Sequence, residues 1–180
     1  RHFYFMEMNT RIQVEHGITE MVSGVDLVRE QLRIASGLPL SVTQEAVHIT
    51  GHAIECRVNA EDPAADFRPC PGTVEFLHFP GGPGVRVDSC LYTGCQLPPW
   101  YDSLAAKVMA HAPTRLEAIR RMRRSLEEFI LEGFPTNAEL SYQILYHPDF
   151  IRGCCTTAFL DEHLPELLEF RRRLEEETKV

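Results

Sequence analysis

The order of apolar and polar residues predicts a mixture of short strands and amphipathic helices. Residues 3–9 are rich in aromatic side chains and alternate in polarity near their end, which is typical of a strand. Between residues 47 and 107, short apolar runs are separated by Pro- and Gly-rich turns. Because long helical segments do not separate these runs, they predict an antiparallel sheet. Its predicted strands are residues 47–49, 53–59, 73–79, 85–89 and 103–110.

Apolar residues at helical spacing predict helices on either side of this region. Residues 26–35 form the first. Thr114 followed by Glu117 is a capping-box signature, and the apolar stripe after it predicts a helix that Gly133 ends. Further helices are predicted at residues 138–146 and 166–179. The fold class is therefore predicted to be α+β, a largely antiparallel sheet with flanking helices.

The composition is that of an ordinary globular protein and argues against two classes of partner. The 180 residues are 44% apolar and 24% charged, with a net charge of −8. Nucleic acids and anionic membranes require a concentrated basic field, so we expect neither as a partner. The chain has no run of ~20 apolar residues, so no membrane-spanning helix is predicted.

The cysteines indicate the cellular compartment, and the first residue indicates a longer parent protein. Six cysteines occur without a CxxC pair, and two of them are adjacent, which is poor geometry for zinc. We expect reduced thiols in the cytoplasm, or in the mitochondrial matrix if the source is a eukaryote. Arg1 lies inside a predicted strand without an initiator methionine, so we expect a fragment of a longer protein.

The stretch with the most chemical information is residues 7–16, EMNTRIQVEH. In an extended chain its odd positions share one face, because strand side chains alternate. That face carries Glu7, Asn9, Arg11, Gln13 and Glu15. The pattern fits either an edge strand with one solvated face or a functional site.

These residue types divide into two kinds of site. Glu7 and Asn9 are oxygen donors whose Cα atoms lie ~7 Å apart in a strand, so they can converge on one hard cation. Arg11, Gln13 and Glu15 combine a guanidinium that can bind an anion through two N–H groups, an amide and a carboxylate base. Because Glu7 and Glu15 would lie ~26 Å apart in a fully extended chain, we expect a bend near Thr10 and two neighbouring centres.

A second group of polar residues lies in residues 52–63, HAIECRVNAEDP. Alternation puts Glu55, Arg57 and Asn59 on one face of a strand and apolar side chains on the other. Such a strand would aim the Arg57 guanidinium rigidly. Taken alone, the pattern also fits a surface ion pair that contributes little to stability.

Residues 7–16 and 52–63 together resemble the signature of biotin carboxylase, the ATP-grasp component of biotin-dependent carboxylases. The resemblance reaches to about Leu164. It includes the shorter motifs at residues 19–21, 24–27, 71–72, 80–82, 99–103 and 136–137, and Lys107. It implies three segments: the end of an ATP-grasp domain at 1–46, the biotin carboxylase C-terminal domain at 47–164 and a charged terminal helix or tail at 165–180.

The resemblance implies an ATP-dependent C–N ligase. In this family bicarbonate attacks the γ-phosphate of ATP to form carboxyphosphate, which delivers CO2 to biotin on a biotin carboxyl carrier protein. Glu7 and Asn9 would bind the Mg²⁺ or Mn²⁺ ions that hold the ATP phosphates.

The same resemblance implies a bicarbonate site next to these ligands. Arg11, Gln13 and the backbone of Val14 would hold bicarbonate, and Glu15 would be its general base. Gly17 stands where the family commonly has Pro or Thr, and we expect it to loosen the turn after Glu15.

The resemblance implies that biotin binds beside the second motif, residues 52–63. Arg57 would face its ureido group and stabilise the enolate, with Asp102 as a support from the neighbouring turn. This interpretation requires the side chains of residues 7–15 to share one cavity with the Arg57 guanidinium.

The resemblance also implies partners, namely the carrier protein, a carboxyltransferase and a second copy in a homodimer. Pro83 replaces a residue that is often aromatic in a loop near the family's dimer interface. The family's amino-terminal domain and ATP lid precede these motifs, so we expect the 180 residues alone not to turn over ATP. The alternatives are a non-catalytic fragment that mediates association between subunits, and another ATP-grasp carboxylase or carbamoyl-phosphate-type enzyme. Residues 52–63 favour biotin carboxylase over the last of these.

Overall fold

The structure, a computed structural model, describes residues 2–178, with side chains from residue 2 to 169. Its helices α1–α6 are His16–Ser23, Leu27–Ala35, Arg115–Glu128, Ala138–Ile144, Pro148–Arg152 and Phe159–Thr178. Its strands β1–β7 are His52–Asn59, Glu61–Asp62, Arg68–Pro69, Phe76–His78, Val85–Asp88, Leu104–Ala112 and Ile130–Glu132. Single 3₁₀ turns occur at Gln44–Ala46 and Pro63–Ala65. None of the helices within residues 2–178 has the length and apolar character needed to cross a membrane.

The central sheet is antiparallel, with the strand order β1–β6–β5. Lys107 on β6 lies between Arg57 on β1 and Asp88 on β5. The next row on the same face consists of Glu55, Met109 and Arg86. Two smaller antiparallel ladders pair β2 with β3 and β4 with β7. The predicted α+β class is confirmed.

The two faces of the central sheet differ in polarity. On one face, Val58 and Val108 are fully buried against Ile119 and Met122 of α3. The other face carries the charged rows and is approached by α1, which contacts β1 and β6. Because strand side chains alternate, one strand pair builds both an apolar core and a charged surface.

The predicted capping box at Thr114 is confirmed, although the helix that follows it, α3, is shorter than predicted. The Thr114 hydroxyl oxygen accepts the N–H of Glu117, and the Glu117 carboxylate accepts the N–H of Thr114. The helix ends at Glu128 rather than at Gly133, because Ile130–Glu132 pairs with β4. Pairing with a strand distant in sequence overrides the local helical pattern.

The other predicted helices are confirmed with shifted ends. α2 starts after Asp26, whose carboxylate accepts the N–H of Arg29 as an N-cap. α4 ends at Ile144, two residues before the predicted end. α6 begins at Phe159 instead of residue 166, and residues 179–180 of the predicted tail lie outside the described residues.

The strands predicted at residues 3–9 and 47–49 are wrong. Neither segment has regular structure, and Phe3 and Phe5 are exposed. A strand exists only with a partner ladder, and no described strand pairs with either segment. The run at 73–79 contracts to β4, whereas those at 53–59, 85–89 and 103–110 are confirmed as β1, β5 and β6 within two residues.

Candidate functional site

The turn before α1 brings the end of the first motif to the central sheet. The carbonyl of Gln13 accepts hydrogen bonds from His16, through the backbone N–H at 3.2 Å and the ring Nδ1 at 2.9 Å. Glu15 is therefore held as the residue immediately before α1. Its side chain points towards β1.

Glu15 and Arg57 meet directly although 42 positions separate them in the sequence. Arg57 Nη2 forms an ion pair with Glu15 Oε1, and each side chain retains somewhat over 40% exposure. A pair this open to solvent contributes little to stability. Its significance is geometric, because it places a carboxylate and a guanidinium side by side at an accessible surface.

Arg11 and Gln13 also lie together. Arg11 Nη1 donates to Gln13 Oε1 at 3.3 Å and to the Ile12 carbonyl at 3.2 Å. The chain bends at Arg11, next to the predicted position Thr10. Both side chains are exposed, so the guanidinium and the amide are open to an anion from solvent.

The predicted metal ligands, Glu7 and Asn9, take part in none of these contacts. Glu7 and Asn9 are exposed, in a segment without regular structure. Neither forms a side-chain hydrogen bond or ion pair with another described residue. Their carboxylate and amide oxygens have the donor chemistry that Mg²⁺ prefers, so the residue types fit the ion. Their role as ligands stays a prediction.

Asp102 contacts the backbone rather than Arg57. Its Oδ1 accepts the N–H of Leu104 at 2.8 Å, at the start of β6. Across the described part of the chain, no ion pair joins its carboxylate to the Arg57 guanidinium. The structure therefore does not bring these two side chains together, and the supporting role of Asp102 stays a prediction.

Lys107 is a residue whose role the sequence analysis did not assign. Its side chain is mostly buried, and Nζ donates to the Val14 carbonyl at 3.1 Å and lies 3.2 Å from Asp88 Oδ2. It thus fixes the backbone immediately before Glu15. The sequence carries one signal for it, a single lysine within the mostly apolar strand LAAKVMAHA.

Behind Lys107, a chain of ion pairs ties the sheet to α1. Asp88 accepts two hydrogen bonds from Arg86, both 2.8 Å long, and Arg86 Nη1 donates to Glu20 Oε2 at 2.6 Å. Burial alone would raise the pKa of Asp88, but hydrogen bonds from Arg86 and Lys107 outweigh it and lower that pKa. Hydrogen bonds to Asp88 and Glu20 raise the pKa of Arg86.

Glu55 is the unusual acid of the charged face. Both of its carboxylate oxygens are buried and lack a hydrogen-bond partner within the described residues. Burial raises the pKa of this carboxyl, and the nearby Lys107 ammonium only partly opposes that effect. Glu55 therefore takes up a proton more readily than an ordinary glutamate.

Gly17 lets α1 approach the sheet. It is the buried residue of this helix, and a Cβ built on it would overlap Met109 Sδ. Gly17 thus provides the space for close packing, and its expected effect on the looseness of the turn stays a prediction. With a larger residue here, either the Met109 side chain or the helix would have to shift.

These contacts produce a surface suited to small anions. Arg11 and Arg57 supply exposed positive charge, the buried Lys107 holds the backbone of the turn, and Glu15 supplies a carboxylate in contact with Arg57. Cations hold an anion, and a carboxylate beside it can accept its proton. The arrangement is suited to binding and deprotonating an oxyanion.

Two family models match the chain. One, described as "Biotin carboxylase C-terminal domain", matches residues 55–162, and one described as "Carbamoyl-phosphate synthase L chain, ATP binding domain" matches residues 1–43. The predicted boundaries at residues 46/47 and 164/165 stay predictions.

Curated proteins with similar sequences carry related names. A biotin carboxylase of Nostoc sp. is 55% identical over 160 residues, which are 89% of this chain and 36% of that protein. A pyruvate carboxylase subunit of Methanothermobacter thermautotrophicus is 52% identical over 161 residues, 89% of this chain and 33% of that protein. The chain thus spans about a third of the length of these relatives.

Solved structures show the same likeness in three dimensions. The biotin carboxylase domain dimer of Hydrogenobacter thermophilus 2-oxoglutarate carboxylase, in complex with MgADP, ADP and bicarbonate, is 47% identical with a TM-score of 0.88. The match covers 91% of this chain and 36% of that one.

Proposed function

The chain belongs to the biotin carboxylase family, and from this premise we propose that it supplies the bicarbonate- and biotin-facing part of a biotin carboxylase active site. The complete enzyme would use ATP, bicarbonate and Mg²⁺ (or Mn²⁺) to carboxylate biotin on a biotin carboxyl carrier protein. The observation that carries the proposal is the contact between Glu15 and Arg57.

In this proposal the turn before α1 binds bicarbonate. The Arg11 guanidinium and the Gln13 amide hold the anion, together with the Val14 backbone, whose orientation Lys107 fixes. Glu15 then accepts the bicarbonate proton. Carboxylates are weak bases for bicarbonate, so this transfer requires the positive charge of Arg11 nearby as the anion's own charge grows.

Arg57 has the second task. The ureido nitrogen of biotin is a poor acid, and its deprotonation puts negative charge on the ureido oxygen. A guanidinium fixed on a strand stabilises that charge without having to move. The contact with Glu15 keeps the guanidinium beside the point where bicarbonate is activated.

Glu7 and Asn9 are the residues that would hold Mg²⁺. The metal, when bound, would neutralise charge on the ATP phosphates. Their exposure leaves both donors accessible to a nucleotide from the solvent side.

The proposed partners follow from the family. They are the carrier protein, a carboxyltransferase and a second copy of the enzyme; the Hydrogenobacter relative is named as a domain dimer. The relatives include proteins named for pyruvate and 2-oxoglutarate as well as biotin carboxylases. This range of names supports assigning the choice of carboxyl acceptor to the proposed carboxyltransferase rather than to this chain. A reducing compartment is supported by the six free thiols.

The test compares two variants in the complete enzyme. Arg57→Ala should slow biotin carboxylation by roughly 30- to 1000-fold in kcat, equivalent to ~2–4 kcal/mol, and affect bicarbonate-dependent ATP cleavage less. Glu15→Gln should remove both activities, because proton removal from bicarbonate precedes both products.

The two activities are measured as ADP release and as carboxylation of free biotin. Circular dichroism checks that each variant is folded. Equal loss of both activities in a folded Arg57→Ala variant, or ATP cleavage that survives in Glu15→Gln, would contradict the proposed roles. The 180 residues alone, about a third of a relative's length, are expected to release no ADP.

A further inference from the structure

Three side chains with metal-binding donors converge where α5 meets α6, on elements that contribute nothing to the proposed active site. His147 immediately precedes α5, Asp149 lies in its first turn, and His163 lies on α6. One donor atom from each falls within 4.8 Å of the other two. The side chains are 13%, 31% and 24% exposed, so the group is sheltered but reachable.

One carboxylate oxygen faces both imidazoles. Asp149 Oδ2 lies 3.9 Å from His147 Nδ1 and 3.6 Å from His163 Nε2. The other oxygen, Oδ1, is engaged by Arg152 Nη2 at 2.5 Å. Arg152 thus orients the carboxylate and leaves a single oxygen directed between the rings, as outer partners of metal ligands do.

The separations fit a bridging ion better than direct hydrogen bonds. Both distances exceed the 2.7–3.2 Å of a good N–H···O bond. Two ligands ~2.1 Å from a tetrahedral zinc ion lie about 3.4 Å from each other. Small rotations of the side chains would therefore bring all three donors to a shared ion.

Aromatic packing holds the rings in place. The imidazole centroids of His147 and His163 lie 4.2 Å apart, and the buried Phe159 ring lies 4.9 Å from each. This packing restricts both imidazoles to small rotations. Such a shell favours coordination, because less ordering remains to be done when the ion binds.

A purely structural role explains only part of the cluster. His147 Nδ1 accepts the N–H of Asp149 at 3.2 Å and so caps α5, and an ion at this nitrogen would replace that bond. Capping does not require a second histidine from another helix to face the same carboxylate oxygen. That convergence is the observation that points to a ligand.

We propose that His147, Asp149 and His163 bind a divalent transition-metal ion of the zinc class. Two imidazoles and one carboxylate suit Zn²⁺, Co²⁺ or Ni²⁺, whereas Mg²⁺ and Ca²⁺ prefer oxygen donors throughout. Three protein ligands leave a fourth position for water. The ion would link α6 to α5 and stabilise the end of the described chain.

The experiment titrates the metal-free 180-residue chain with Zn²⁺ by calorimetry and with Co²⁺ by visible absorption. We expect one equivalent bound with micromolar or tighter affinity, a tetrahedral Co²⁺ spectrum and a higher Tm with zinc. Mg²⁺ should reproduce none of these effects. His163→Ala and Asp149→Asn should each weaken zinc binding by at least tenfold.

Matched controls separate this site from the rest of the chain. His48→Ala removes an exposed loop histidine, and Asp161→Asn removes an exposed acid two positions from His163; both should bind zinc normally. The exposed thiols of Cys154 and Cys155 could also bind zinc, so a Cys154→Ser/Cys155→Ser variant is titrated too and should retain the site.

Three outcomes would overturn the proposal. They are absence of stoichiometric zinc binding, loss of binding in the serine variant with a thiolate charge-transfer band in the Co²⁺ spectrum, and equal losses in the controls and in His163→Ala. The Co²⁺ spectrum of the parent reports on the ligands themselves, so the test by ligand type does not depend on the stability of any variant.

Discussion

The carboxyl group of Glu55 occupies surroundings that disfavour its charge. Its two oxygens are buried without a hydrogen-bond partner among the described residues, beside the row that contains Lys107 and Arg57. Its raised pKa means that the folded protein holds a proton there more tightly than the unfolded chain does. At neutral pH the ionised group therefore destabilises the fold.

Glu55→Gln should stabilise the protein at pH 7 by roughly 1 kcal/mol, because it removes a buried, unpartnered charge. Below the unfolded pKa of about 4.3, Glu55 is protonated in both states and the gain should vanish. The gain should grow as the pH rises from there through the raised folded pKa. Urea unfolding at several pH values measures it.

Glu75→Gln, at an exposed position, is the matched control and should show no such pH dependence. A Glu55→Gln variant that is less stable at pH 7 than at pH 4, relative to the parent, would show that the ionised carboxylate is satisfied by a further partner.

At the scale of elements, the attachment of α1 to the sheet decides where Glu15 lies. Gly17 leaves no space for a side chain above the fully buried Met109. Lys107 holds the Val14 carbonyl, and Arg86 joins Glu20 of α1 to Asp88 of β5. One steric contact and two polar ones thus fix the helix and the turn before it.

Gly17→Ala should destabilise the protein by ~1–3 kcal/mol, because the new methyl group overlaps Met109. In the background of Met109→Ala the same change should be much milder, since the obstructing atoms are gone. Denaturant unfolding of the four proteins in this cycle gives the coupling. Thr19→Ala, on the exposed side of α1, is the control; an additive cycle would show that the two residues do not compete for space.

Asp88→Asn should lower stability at pH 7 by about 1–2 kcal/mol, because it weakens charged hydrogen bonds with Arg86 and Lys107. The lowered folded pKa gives the pH dependence: Asp88 contributes above its unfolded pKa of ~3.9, and that contribution is lost as the pH falls through the folded pKa. In thermal unfolding, parent and variant should converge as the pH falls from 7 to below the folded pKa. A constant difference across this range would exclude the ionic contribution.

At the scale of the whole molecule, the sequence predicts those elements whose signals lie within the element itself. The capping box at Thr114 is enough to predict the start of a helix, and the alternation in β1 is enough to predict a strand with one apolar face. The prediction of a strand at residues 3–9 is wrong because a strand requires a neighbouring strand, which its own sequence does not specify. The early end of α3 has the same origin in β7.

The candidate site divides in the same way. Glu15 and Arg57 were found from residue type and resemblance, and the structure brings them together. The sequence assigns no role to Lys107, because its partner is the backbone carbonyl of Val14, which has no signature in a sequence. The six cysteines are free in the structure, and burial raises the pKa of Cys56 to about 12.

The charged rows of the central sheet also help to set the register between β1 and β6 during folding. If β6 slipped by one residue against β1, the ammonium of Lys107 would turn into the apolar layer beneath α3, and Val108 would turn outward. Such a mispaired chain would have to place an unpaired cation in hydrocarbon, so it could not persist. The charged side chains of this face therefore also disfavour the pairing that is shifted by one residue.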